Sequence, residues 1–165
     1  MEAKVMDDRQ FRNAMGKFAT GVTVITTEVD GKAHGMTANA FMSVSLAPKL
    51  VVISIAEKAQ MLEKIKISRK FSVNILADDQ QELSMIFAGQ IKESKDVSFD
   101  QLGGLPVLRG AVAQVACEVA NVHVEGDHTL FIGKVIDIHL EEKEPLLFFS
   151  GQYRSLVQNE SLIEQ

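Results

Sequence analysis

Apolar and polar positions along this chain change period several times, and each change marks an element. Phe11, Ala14, Met15 and Phe18 recur at helical spacing behind Asp7 and Asp8, which can cap a helix start. The pattern predicts an amphipathic helix that ends near Gly21 and whose apolar stripe packs on something. Over 21–28 the period shifts to a β-branched run, Val22, Val24 and Ile25 among threonines, which predicts a strand. Asp30-Gly31 has the composition of a two-residue hairpin turn, so the next strand begins about Lys32.

After residues 42–46, Pro48 interrupts the pattern, and 50–55 reads as a short buried strand. Over 59–68 a helix is predicted, with Met61, Leu62 and Ile65 on one face and Glu63, Lys64, Lys66 and Arg69 on the other. Residues 71–76 predict a strand and 80–87 a short helix. The stretch 88–109, with Gly89, Gly103-Gly104 and Pro106 among charged residues, reads as largely loop. Two long strand patterns, 111–124 and 128–140, meet at Gly126-Asp127 and make the strongest hairpin signal in the chain, and 145–149 predicts a last strand. Six or seven strands with few helices between them predict a mostly β fold, an antiparallel barrel with a few short flanking helices. The 165 residues contain no linker rich in Gly, Ser or Pro, so a single domain over 1–165 is expected.

Composition narrows the function. Apolar residues make up 46% and charged residues 24%, as in a folded globular protein. A formal charge of -5 makes a nucleic-acid partner a poor expectation. No apolar run approaches the roughly 20 residues needed to span a bilayer, and the N-terminus carries Asp7 and Asp8 where a signal peptide has its apolar core. A cytoplasmic protein is expected. Cys117, the single cysteine, lies among Val115, Ala116 and Val119 with no cation nearby in sequence, which suits a packed residue better than a nucleophile.

No Gly-x-Gly-x-x-Gly follows a strand, no Walker-type loop or serine elbow occurs, and His34, His123, His128 and His139 lack the spacing of a local metal site. What remains is a cluster of small and hydroxyl residues at predicted strand ends, Gly35 to Phe41, then Ser43, Ser45 and Ser54. Such residues suit the polar edge of a flat ring, and they equally suit ordinary strand turns. His128, after Gly126-Asp127, could meet a ligand or stand exposed, and Tyr153, the only tyrosine, could pack near a cofactor or lie on the surface.

The order of motifs goes further. Phe11-Arg12-Asn13-Ala14-Met15, Ala19-Thr20-Gly21-Val22-Thr23-Val24-Ile25-Thr26 and Gly35 through Leu46 are followed by Phe71 to Leu76, Phe87-Ala88-Gly89, Gly126 to Gly133, and Gly151-Gln152-Tyr153-Arg154. Each is weak alone. Together they resemble the short-chain flavin reductases over nearly the whole chain, and most of all the small reductase components of two-component aromatic monooxygenases of the phenol hydroxylase and 4-hydroxyphenylacetate 3-monooxygenase kind. The resemblance implies a homodimeric, flavin-binding split barrel. It implies direct hydride transfer from NADH to FAD, or FMN, with no catalytic acid, base or metal, and delivery of reduced flavin to a separate oxygenase. It further implies that Thr37, Ala38, Asn39 and Ser43 face the isoalloxazine ring, with Ala40 and Val44 also among the cofactor-binding residues. Ser54 and Ile55 then lie near the ribityl chain and phosphate, Lys58, Phe87, Ala88 and Gly89 lie further along the cofactor, and His128, Tyr153 and Arg154 meet the nicotinamide nucleotide. A flavin carrier or sensor on the same barrel is the rival reading. A pyridoxine-phosphate-type oxidase is a weaker one, because Arg109, Lys134 and Arg154 are scattered along the chain.

Overall fold

The structure is a computed structural model that describes residues 4–92 and 96–157. In chain order the elements are α1 (Asp8–Met15), β1 (Thr20–Gly21), β2 (Thr23–Val29), β3 (Lys32–Ala38), β4 (Phe41–Leu46), β5 (Lys49–Ala56), α2 (Gln60–Ser68) and β6 (Lys70–Ile75). A short 3-10 turn then leads into α3 (Gln81–Phe87), followed by β7 (Asp100–Leu102), β8 (Leu105–Val107), β9 (Ala113–Glu125), β10 (His128–Leu140), β11 (Leu147–Phe149) and β12 (Gln152–Arg154).

Seven strands form one antiparallel sheet in the order β3-β2-β6-β9-β10-β5-β4. Its two edges, β3 and β4, are consecutive in the chain and joined by Asn39-Ala40 alone. Seven strands laid flat would hold those edges about 29 Å apart. The connection reaches about 11 Å. The sheet therefore curls until its edges meet at Asn39-Ala40, while the ladder between them stays open. This is an antiparallel barrel with short helices around it, as the chain's pattern predicts, and its open seam makes it the split barrel that the resemblance implies.

Strand alternation separates two cores. Ile25, Ile53, Ile55, Phe71, Val73, Cys117 and Phe131 point to one face of the sheet, where α2 covers them with Met61, Leu62 and Ile65. Val22, Val24 and Leu76 point to the other, beneath Leu108, Leu146 and the partly buried Leu83, Phe87 and Phe148. β2 is thus covered on both sides. Gly133 makes one close approach possible, since a Cβ there would stand 2.5 Å from Phe71 Cζ and 2.9 Å from Cys117 Cβ. Asn74, fully buried, ties the second core together: its Nδ2 donates to Val24 O (2.9 Å) and Thr26 Oγ1 (3.0 Å), and its Oδ1 accepts from Leu108 N (2.8 Å). Burial pushes the Cys117 thiol up to about 12, in keeping with a packed residue.

Four details depart from the sequence expectations. Asp7 does cap α1, its Oδ1 accepting from Arg9 N at 3.0 Å, but the helix stops at Met15 rather than near Gly21. Gly16 closes the last turn on Arg12 O, and 3-10-type bonds from Lys17 and Phe18 lead the chain away toward β1. The apolar stripe of α1 is not covered by the described residues: no residue of the helix is buried, and Phe11 and Met15 stand exposed. The stretch 88–109 also holds a small hairpin, β7–β8, turning at Gly103-Gly104. Arg109 fastens it with a two-pronged pair to Asp100 (2.7 and 3.0 Å), which holds the Asp100 carboxyl below its usual range. β12 was likewise outside the predicted strands. Among the described residues no helix is long and apolar enough to cross a membrane.

Candidate functional site

The seam of the barrel is where polar and small residues gather. Asn39-Ala40 forms a ridge there with a cleft on either side. The first cleft, about 400 Å³, runs between the end of β3, α3 and the β11–β12 pair, and Thr37, Ala38, Ala88, Gln90, Phe148 and Tyr153 are among its lining residues. The second, about 420 Å³, is walled mainly by carbon, from Phe18, Phe41, Met42, Val52 and Leu130, with Thr20 and Ser54 as its hydroxyls. Asn39 and Ala40 line both.

Local hydrogen bonds hold the ridge and the first cleft in shape. The carbonyls of Ala38, Asn39 and Ala40 accept from Thr23 Oγ1 (2.5 Å), Phe41 N (2.9 Å) and Ser54 N (3.2 Å). Thr37 Oγ1 donates to Ser84 O (2.7 Å), so its proton is committed and its lone pairs remain for a ligand donor. Ser84 Oγ, nearly fully buried, shares a hydrogen bond with Tyr153 OH at 2.8 Å. The Tyr153 ring in turn meets Phe148 edge-on, with centroids 5.4 Å apart. Ser84 therefore joins β3 to β12 across α3. Sequence reasoning missed it, although a lone hydroxyl three residues before Phe87 on a helix face that packs inward was a usable signal. Val22, Gln90 and Phe148 were missed as well, because they enter the cleft from distant parts of the chain.

Of the expected site residues, the fold brings Thr37, Ala38, Asn39, Ala40, Ala88 and Tyr153 into the first cleft and Ser54 into the second. Ser43 and Val44 are exposed on edge strand β4, where the pairing with β5 shifts register. Ile55 points its side chain into the core, so its contact with a ligand is limited to backbone. Phe87 packs across Gly35 and stands 6.1 Å from the Phe99 ring, so it supports the wall. Gly89, exposed at the end of α3, returns its N–H to Ile86 O. Arg154 is exposed at the end of β12.

His128 is not among the residues of the first cleft. It opens β10 opposite Ala56, two positions before Leu130, which lies opposite Ser54. Alternation places it on the outer face that carries Ser54 and the second cleft. Its Nδ1 lies 2.8 Å from Asp127 Oδ1, and that bond holds the Asp127 carboxyl below its usual range, with Lys58 a smaller contributor. Because a carboxylate accepts only, Nδ1 carries the proton of this hydrogen bond.

Residues 15–157 match the family model described as a flavin reductase like domain. An NADH-dependent flavin reductase of a Rhodococcus species is 45% identical over 148 residues, spanning 88% of this chain and 84% of that protein. The reductase component of 4-hydroxyphenylacetate 3-monooxygenase from Thermus thermophilus is 36% identical over 89% of this chain and 95% of its own length. Among solved structures, flavin reductase PheA2 in its native state superposes with a TM-score of 0.92 at 67% identity, covering 93% of this chain and all (100%) of that one. The NADH:FAD oxidoreductase SgcE6 of Streptomyces globisporus, solved with NAD and FAD fragments, superposes with a TM-score of 0.87 at 35% identity over 96% of this chain and 99% of its own. A split barrel whose seam carries two adjoining clefts, together with these matches along almost its whole length, establishes that the chain belongs to the flavin reductase-like family.

Proposed function

We infer that the chain is an NADH-dependent flavin reductase that supplies reduced flavin to a separate monooxygenase, and that its flavin ring lies at the Asn39-Ala40 ridge. The observation that carries the placement is the pair of adjoining clefts. Hydride transfer needs two flat rings held face to face, and each cleft falls within the roughly 300–1,000 Å³ of small-molecule sites. Their walls also suit a flavin ring at the ridge between them. Carbon surfaces from Ala38, Ala40, Val52 and Leu130 flank a ring plane, while Thr37 Oγ1, the Asn39 and Gln90 amides and Ser54 supply acceptors and donors at its rim. When bound, the flavin accepts the hydride from the nicotinamide, so the electron chemistry is the cofactors' own.

The protein's part is positioning. Thr37 accepts from the ring edge, Asn39 and Ala40 set the ring's height against the seam, and Ser43, Val44, Ser54 and the Ile55 backbone extend the contact along β4 and β5. Lys58, Phe87, Ala88 and Gly89 follow the cofactor outward. His128 orients the nicotinamide carboxamide through Nε2, with Asp127 fixing its tautomer, and Tyr153 and Arg154 border the dinucleotide. FAD is the preferred flavin in this reading, with FMN as the alternative, and the NADH supply of the cytoplasm fits the reaction. A homodimer is the working assembly of this single domain, supported by the exposed apolar side chains of α1, β4 and the outer ends of β9 and β10.

Ala40→Leu tests the placement, because residue 40 is exposed and lines both clefts. Titration of FAD followed by flavin fluorescence should show Kd raised at least about tenfold, which is 1.4 kcal/mol, with thermal unfolding unchanged. An unchanged Kd would place the ring elsewhere.

A further inference from the structure

A third cleft adjoins the first across the Phe148 ring. It measures about 440 Å³ and lies between the end of α1 and the β11–β12 turn, with Arg12, Asn13, Lys17, Ser150 and Gly151 on its walls. Phe148 lines both clefts. Ser150 N donates to Gly16 O at 2.9 Å, so the turn and the end of the helix are fastened to each other and the cleft has a fixed floor. Lys17 Nζ rests 5.6 Å from the centroid of the Phe149 ring. Both Arg12 and Lys17 are exposed, and neither has a carboxylate partner among the described residues. The protein as a whole is acidic, with a formal charge of -5, so its overall field opposes a phosphate and local cations must overcome it. Two cations with no carboxylate partner among the described residues, a side-chain amide and a hydroxyl lining one hollow make a local exception.

We propose that this cleft binds the phosphate of a nucleotide whose reacting ring occupies the neighbouring cleft, with Phe148 as the wall between them. The proposal rests on the reading of the ring clefts given above. The planar Arg12 guanidinium suits a phosphate in two-pronged fashion, Lys17 adds a point charge, and Asn13 and Ser150 reach the remaining oxygens or a ribose hydroxyl. The phosphate comes from the nicotinamide dinucleotide or from the flavin, and the experiment separates the two.

Arg12→Gln, Lys17→Gln and the double variant are made in the full chain. Binding of NADH and of FAD is read by calorimetric titration at low salt. Turnover is read with NADH and with the phosphate-free donor N-benzyl-dihydronicotinamide. Each single variant should raise Kd about three- to tenfold and the double variant more than tenfold for the nucleotide that uses the cleft, with a shallower salt dependence than wild type. If that nucleotide is NADH, the ratio of the KM for NADH to the KM for the phosphate-free donor rises to match. If it is FAD, the change appears in the flavin titration alone. Unchanged affinity for both, or a loss equal for phosphate-bearing and phosphate-free donors, overturns the proposal. A wild-type protein that binds both nucleotides but does not reduce flavin would refute the functional reading, while the titrations would still decide this one.

Discussion

The two halves of the barrel differ in what completes them. In β2 the five consecutive residues Thr23 to Thr27 are buried, and in β6 the four from Phe71 to Asn74 are, because both strands lie between the two cores. β4, at the opposite edge, has no buried residue, and neither has α1. The first half is finished by folding. The second presents Phe11, Met15, Met42, Val44 and Leu46 to solvent and surrounds the seam where the clefts open. Stability and function are thereby assigned to different residues, and substitutions should sort accordingly.

The largest effect belongs to the finished half. Phe131→Ala removes a fully buried ring and should cost about 3–5 kcal/mol in denaturant unfolding. Asn74→Ala should come next, at about 2 kcal/mol, because it strands Leu108 N in the core. Cys117 gives the same half a pH signature. Its folded thiol is held at about 12 against 9.0 for the ordinary group, so the unfolded chain releases a proton first as pH rises. The stability contributed by the protonated thiol is intact below about pH 9 and is lost between there and 12. Cys117→Ala should flatten that decline, measured as unfolding free energy against pH.

In the open half the sign of interest changes. Met42→Ser should alter unfolding by less than about 0.5 kcal/mol per chain at concentrations where the protein is monomeric, yet weaken self-association in sedimentation. Equal sedimentation of variant and wild type would remove β4 from the proposed homodimer interface. The smallest structural effect is expected for His128→Ala, whose ring is 45% exposed. It should leave stability and flavin affinity as they are and raise the KM for NADH several-fold, and an unchanged KM would free His128 of its assigned role.

The same division governs what could be read from sequence. Asp30-Gly31 and Gly126-Asp127 announced their hairpins because two-residue turns need positive φ, found here at Asp30 (52°), Gly31 (73°) and Gly126 (60°). The inward face of α2 was legible from Met61, Leu62 and Ile65. The β7–β8 hairpin was not, since its three-residue strands include Pro106 and owe their place to the Arg109–Asp100 pair. The stripe of α1 was read correctly as apolar, but no pattern could say that the described residues leave it uncovered. The site was legible at Thr37 to Ala40 only through the resemblance. Ser84 and Phe148 needed the fold, because their roles depend on Tyr153, 69 positions from Ser84, and on a cleft assembled from both ends of the chain.

Hydride transfer from NADH to a flavin held at the seam is tested most directly by an anaerobic visible spectrum. Purified protein with a catalytic excess of FAD, and separately FMN, should lose the flavin band rapidly when NADH is added, through many turnovers per chain and faster with FAD. A flavin that binds yet stays oxidised would contradict the account and leave a carrier in its place.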